Sequence, residues 1–422
     1  MRSRGQSGSV VHTLLVTAVA VLASVGVLVT LAVTLPLAFQ EEDSAAYAVP
    51  VTRPATEAEA QAAFDEAMVA LAADDEDAWR AALPATGRAA RQTSADLFET
   101  LGGLPWRSLD AVVVPIPSED GRFEVRVVGD LAGVGPEDRI VADRVLEFGV
   151  LDDRVMVTDD VTPRTARRQY FMAYEDPRVV EGEAAVVLTE PDYIDLARDL
   201  ADAAAEAGDD LAVLDVDPDR PVLLYLYASR DQLRDALGGG PNDRRVEFLS
   251  LPVERIADGL WWPRDVNLLA PALDEKGYWL PRLLAHELTH AFTVEWFADT
   301  RNDPVFLAEG LAVAVEGGRS YAPLRDEIAA GNRRLPLANA IALGSLWNGN
   351  AQEKVHLAYL EAGSVVLYIL DTWGLQDLRR WVTAVADSSL TPAAIEAATD
   401  RSLGVSWDEF VAGWAEFAET LP

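Results

Sequence analysis

The chain contains no cysteine. Disulfides, thiolate nucleophiles, cysteine-ligated zinc and a lipid-modified cysteine anchor are therefore excluded. Histidine is almost as scarce, four in 422 residues, and the only lysines are Lys276 and Lys354. Arginine supplies nearly all the positive charge, and 35 basic residues face 69 acidic ones, for a net charge of -34. Such a surface repels phosphate backbones and anionic headgroups and tends to attract cations. No basic patch with interleaved aromatics occurs, so nucleic acid is excluded as a partner. There is no internal repeat, and the one compositionally biased tract is an apolar run near the N-terminus.

That run, residues 10–39, reads "VVHTLLVTAVAVLASVGVLVTLAVTLPLAF". A spanning helix needs about 20 apolar residues, whereas the apolar core of a cleavable signal has about 7–15. The run is too long for the second and lacks a small-x-small cleavage site at its end. Arg2 and Arg4 precede it and "QEED" follows, which puts the N-terminus in the cytoplasm. The expectation is a single-pass transmembrane signal anchor over 10–39, with residues 1–9 cytoplasmic and the bulk of the chain extracytoplasmic. Half of the residues are apolar, enough for substantial cores and more than one domain.

Residues 40–56 mix acids, prolines and small residues and read as a linker. Thr56 with Glu59 fits a capping box that opens a helical stretch. Within that stretch the acidic cluster Asp74 to Asp77 reads as a solvated corner between two helical segments. A short helix around "SADLFETL" follows, and then strand-like runs, "DAVVVPIP", "RFEVRVVGDL" and "RIVADRVLEFGVLDDRVMVTDD". Residues 57–178 therefore read as an accessory α+β domain. Its element order loosely resembles the NTF2-like (cystatin-like) accessory domains of secreted bacterial proteins, and that likeness carries no functional residue across. From residue 180 to 422 a second unit begins with strands at "EAAVVLTEP", "RPVLLYLYAS", "RRVEFLSLPV" and "DVNLLAPAL", interleaved with helices at "DYIDLARDLADAAAEAG" and "RDQLRDALGGG", and ends almost wholly helical. The fold class is α+β throughout.

The stretch "LLAHELTHAF", residues 283–292, holds two of the four histidines. His286 and His290 stand four apart, slightly more than one helical turn, so both imidazoles project from one helix face and can grip one ion. Glu287 lies about 100° further round, beside such an ion rather than on it. This is the HExxH spacing of zinc hydrolases. A catalytic zinc site needs a third protein ligand and an open position. Glu309, nineteen positions after His290 in "PVFLAEGLAVAVEGG", is the best candidate. That separation allows a loop, "ADTRNDP", and an antiparallel second helix that returns a carboxylate to the metal.

HELTH followed by a proline and "FLAEGLA" resembles the signature of gluzincin-type zinc metallopeptidases, in particular the peptidase-MA-like bacterial domains related to the M1 family. The likeness continues through "AYLEAGSVVLYILDTWGLQDLRRWV" and "SLGVSWDEFVAGWAEF" and covers residues 180–417. It implies a zincin-like domain, a small mixed sheet leading into a helical C-terminal half. It also implies Zn2+ held by His286, His290 and Glu309, and a peptide or protein substrate. Glu287 would be the general base, taking a proton from the attacking water and handing it to the leaving amine. Tyr359 matches the family's tyrosine and is the candidate oxyanion stabiliser. Tyr368 is its rival, and His356 a weaker second contact. The G-x-M-E-N motif of aminopeptidases is absent, which points to internal peptide bonds. The aspartate that often follows the third ligand in thermolysin-like enzymes is not found either.

The alternative is a non-catalytic envelope protein that keeps a zincin-like fold and serves as a binding or scaffold module. "DVDPD", Asp215 to Asp219, has the opening spacing of a calcium loop. It lacks the glycine at position six and the glutamate at position twelve, and reads as a polar turn.

Overall fold

The Thr56 hydroxyl accepts from the Glu59 N–H and the Glu59 carboxylate bonds back to the Thr56 N–H at 2.9 Å, so the first helix starts where the capping box predicts. The protein is described by a computed structural model covering residues 51–331 and 352–422. Within those spans, residues 118, 135–138, 163–170, 216–220, 237–247, 251–253, 257–258, 262–265, 277–279 and 298–304 are not described. The expected cytoplasmic segment 1–9, the apolar run 10–39, most of the linker, most of the "DVDPD" turn and the loop "ADTRNDP" lie outside the described residues. Among the described residues, no helix is long and apolar enough to cross a membrane.

Three helices, α1 (Glu57–Ala72), α2 (Glu76–Ala82) and α3 (Arg88–Leu101), precede all but the first short strand of the first sheet. The acidic corner between α1 and α2 ends one helix and starts the next. Asp74 takes a left-handed φ of 54°, and the Asp75 carboxylate caps α2 at the Ala78 N–H. Strand β1 (Arg53–Pro54) comes from the end of the expected linker and pairs with β4. The sheet continues as β2 (Trp106–Pro115), β3 (Arg122–Leu131), β4 (Arg139–Leu151) and β5 (Arg154–Asp160), with order β1-β4-β3-β2 and β5 also on β4. Asp152 and Asp153, both at positive φ, make the tight turn between β4 and β5. Phe123, Val125 and Val127 alternate inward and, with Phe148, pack against Phe64 of α1.

The second sheet is mixed. It comprises β6 (Arg178–Glu181), β7 (Ala185–Thr189), β8 (Val222–Tyr227), β9 (Phe248–Ser250) and β12 (Val266–Leu269), in order β6-β7-β8-β12-β9. The three central strands are parallel and the two edges antiparallel. A small hairpin, β10 (Glu254–Ile256) and β11 (Gly259–Trp261), stands apart from it. Every residue of β7, β8 and β12 is buried, as a sheet covered on both faces requires. The expected strand "DVNLLAPAL" is a strand only to Leu269, and helix α6 begins at Ala270. A continuous apolar run does not distinguish the two states, and Pro271 is tolerated in a first helical turn.

One face of this sheet is covered by the helical half and the other by the N-terminal unit. Ala185, Val187, Leu224 and Leu226 face α4 (Ile194–Leu211) and the helices beyond it, whereas Val186, Leu188, Leu223, Tyr225 and Tyr227 join the core of the first unit. The seam is aromatic. Phe171 lies 5.3 Å from Trp106 and 5.4 Å from Tyr225 between ring centroids, and Tyr174 stacks on Tyr227 at 5.2 Å. The Tyr174 hydroxyl donates to Leu188 O, and the Glu190 carboxylate accepts from the N–H groups of Glu175 and Asp176. Two units in sequence thus share one core in space.

The remaining helices are α5 (Arg230–Ala236), α6 (Ala270–Lys276), α7 (Leu280–Thr293), α8 (Val305–Glu316), α9 (Ala322–Ala329), α10 (Gln352–Trp373), α11 (Leu375–Ala386), α12 (Pro392–Leu403) and α13 (Trp407–Thr420). Helices α8 and α10 approach closely through glycines. A methyl on Gly310 would stand 3.0 Å from Ala362 O, and one on Gly363 would stand 2.4 Å from Val313 Cγ1. That approach presses the helix carrying Glu309 against the helix carrying Tyr359.

Candidate metal centre

Helix α7 buries Leu284, Ala285, Leu288, Ala291 and Phe292, which leaves His286 and His290 on its half-buried side with ring centroids 5.0 Å apart. Helix α8 delivers Glu309. Its Oε2 stands 3.3 Å from His286 Nε2 and 3.6 Å from His290 Nε2, and the three ligand atoms lie within 4.8 Å of one another. Atoms bound at about 2.0–2.2 Å to a tetrahedral zinc stand about 3.3–3.6 Å apart. Glu309 Oε2 is buried and makes no hydrogen bond, although two imidazole nitrogens are at ion-pair distance. A buried acceptor left unbonded costs free energy unless something else satisfies it. Two imidazoles and a carboxylate whose ligand atoms converge in this way therefore fit a metal ion.

Sequence reasoning missed Glu316. Its Oε2 stands 3.0 Å from His286 Nδ1, where it accepts from a protonated Nδ1, and Nε2 is the nitrogen that faces Glu309. The signal was available: Glu309 and Glu316 are seven apart, two turns along one helix face. Arg319 was missed too, and donates to Glu316 from Nε at 2.9 Å and Nη2 at 2.6 Å. It turns back to the helix it has just left because Gly317 and Gly318 both adopt left-handed φ values of 64° and 58°.

Glu287 is buried, and its charge acts on both His286 and Tyr359. Tyr359 comes to the site from α10, its ring 6.5 Å from that of His286 and its hydroxyl toward the Glu309 carboxylate. Burial, then the charges of Glu309 and Glu287, push its phenol far above the ordinary value, so it remains a neutral donor. Tyr368 lies elsewhere. Nine residues on in a helix is half a turn round, and its ring packs among Trp373, Phe410 and Phe417. His356 is exposed.

Burial opposes a charge on His286, but the carboxylates of Glu309 and Glu316 at its two nitrogens, with Glu287 nearby, outweigh it and raise its pKa to about 10. Burial also opposes the Glu309 charge, and the two imidazoles outweigh it and hold that carboxyl well below the usual range. In the metal-free protein the raised imidazole contributes stability that is fully present below about pH 6.5 and lost as pH rises through about 10. A metal ligand must be neutral, so loading at pH 7 should release about one proton per ion, and affinity should rise about tenfold per pH unit between pH 7 and 9. Titration calorimetry in two buffers of different ionisation enthalpy measures this. Identical heats in both would contradict a protonated His286.

Compared with models of known protein families and with curated proteins, the chain finds no match in either.

Proposed function

We propose that the chain is a zinc metallopeptidase of gluzincin type that hydrolyses internal peptide bonds of peptide or protein substrates. The observation that carries the reading is Glu309 Oε2, a buried carboxylate oxygen without a hydrogen bond that faces two imidazole nitrogens at zinc-like separations. His286, His290 and Glu309 would hold the ion. Zinc, when bound, supplies Lewis acidity that polarises a carbonyl and lowers the pKa of water toward about 7. Glu287, next to the first ligand and buried, takes the proton of the attacking water and passes it to the leaving amine. Glu316 keeps His286 in the tautomer that presents Nε2. Tyr359 donates its hydroxyl proton as a hydrogen bond to the oxygen on which negative charge gathers.

The same reading makes the second sheet with its helices a zincin-like fold and the first unit an NTF2-like accessory domain. It makes residues 10–39 a single-pass membrane anchor with the bulk of the chain outside the cytoplasm. The test is direct. The detergent-purified full-length chain should carry about one zinc and cleave an unfolded protein such as casein. Chelation should abolish cleavage, and one equivalent of zinc should restore it. Zinc bound stoichiometrically without cleavage of any peptide would leave the scaffold reading in its place.

Tyr359→Phe removes only a hydroxyl. Zinc content and KM should stay near the parent's, with kcat lowered by about 10- to 1000-fold, the range for losing one oxyanion donor. Tyr368→Phe should keep the parent's kcat, because that ring packs against α13. The reverse pattern in steady-state kinetics would move the assignment to Tyr368.

A further inference from the structure

Arg319 belongs to no motif in the sequence, yet it touches two parts of the site at once. Its Nε and Nη2 bond the Glu316 oxygen that also accepts from His286 Nδ1. Its guanidinium carbon stands 5.9 Å from the centroid of the Tyr359 ring, within cation–π range. The side chain is only 27% exposed, and Glu316 14%. The turn that brings it there is packed as well as wound, since a methyl on Gly318 would meet the Arg282 guanidinium at 2.5 Å. Two N–H groups on one oxygen fix the plane of a guanidinium, which an ammonium cannot reproduce. An exposed ion pair would contribute little. This one shares its acceptor atom with a ligand imidazole.

We propose that Arg319 is a positioning residue that holds the His286 imidazole, through Glu316, and the Tyr359 phenol, through its ring face, in one fixed relation. This rests on the metallopeptidase reading and deepens it: the ligand and the oxyanion donor, on separate helices, are tied by one side chain. Outer partners of metal ligands typically matter about 10- to 100-fold in affinity or activity.

The experiment compares the full-length parent with R319M, R319K, E316Q, Y359F and the doubles R319M/E316Q and R319M/Y359F, each checked for folding by thermal melting. In chelator competition, R319M and E316Q should each bind zinc about tenfold more weakly, and the double no more weakly than the worse single, because both act along one path. R319M should lower kcat about 10- to 100-fold with KM within about threefold, and that loss should shrink to under about threefold in the Y359F background. R319K, which keeps the charge and loses the fork, should fall between. Zinc affinity equal to the parent's in R319M, full additivity with Y359F, or complete recovery by R319K would each overturn the proposal. If the parent cleaves no peptide, the peptidase reading fails and the zinc affinities alone decide this one. If R319M does not fold, R319K and R319Q carry the comparison.

Discussion

Replacing Glu287 by glutamine should leave about one zinc per chain and lower peptide cleavage by about 10²- to 10⁴-fold, the range for a lost general base. The expectation follows from where the side chain stands. On the proposed reading Glu287 is one residue from a ligand, and its helix position would turn it beside the metal rather than onto it. It is not among the three groups whose ligand atoms converge, yet its charge reaches both His286 and Tyr359. Glutamine keeps the shape and loses the ability to take a proton. Metal content, melting temperature and KM should therefore stay near the parent's while kcat falls. Equal turnover in variant and parent would identify a contaminating protease. Loss of zinc along with activity would make Glu287 a ligand and undo the division of roles.

Glu309→Ala should have the opposite signature, in which the metal goes first. It removes one of three ligand atoms and leaves two imidazoles that cannot complete a zinc site. Zinc affinity should fall by more than about 100-fold, beyond the range for outer-shell substitutions. The parent should melt higher with added zinc, since an ion that binds only the folded state stabilises it by mass action. Glu309→Ala should melt at the same temperature with and without zinc. His290→Ala should behave in the same way. Full zinc affinity in Glu309→Ala would reassign the third ligand, and Glu316, already beside His286, would be the first group to examine.

How much of this was legible differs residue by residue. The HELTH spacing is local: helical geometry by itself places His286 and His290 on one face, and the surrounding leucines and alanines set the buried side. Glu309 was readable as a distance along the chain, from a loop and a returning helix. The choice between Tyr359 and Tyr368 was not, because both lie on one apolar helix and pattern alone does not say which side meets α8. In the structure α10 meets α8 along the face that carries Gly363, one turn from Tyr359, and Tyr368 lies on the opposite side among Trp373, Phe410 and Phe417. Arg319 was hidden for another reason. Its approach to Glu316 depends on two consecutive left-handed glycines, and a pair of glycines after a helix reads as a simple stop.

The α+β class, the capped first helix, the alternation of the first sheet, the helical C-terminal half, and two histidines and a glutamate at spacings suited to a metal were all readable along the chain. Each of these follows from periodicity or from chain distance, which are local properties. That the N-terminal unit covers the outer face of the second sheet through Phe171 and Tyr174 was visible only in three dimensions. Tertiary packing alone brought Glu316, Arg319 and Tyr359 around the histidines. Those relations join side chains from separate elements, and they are set by which buried faces meet and how closely the backbones approach. Pattern along one strand or helix specifies a face, while its partner is chosen by packing.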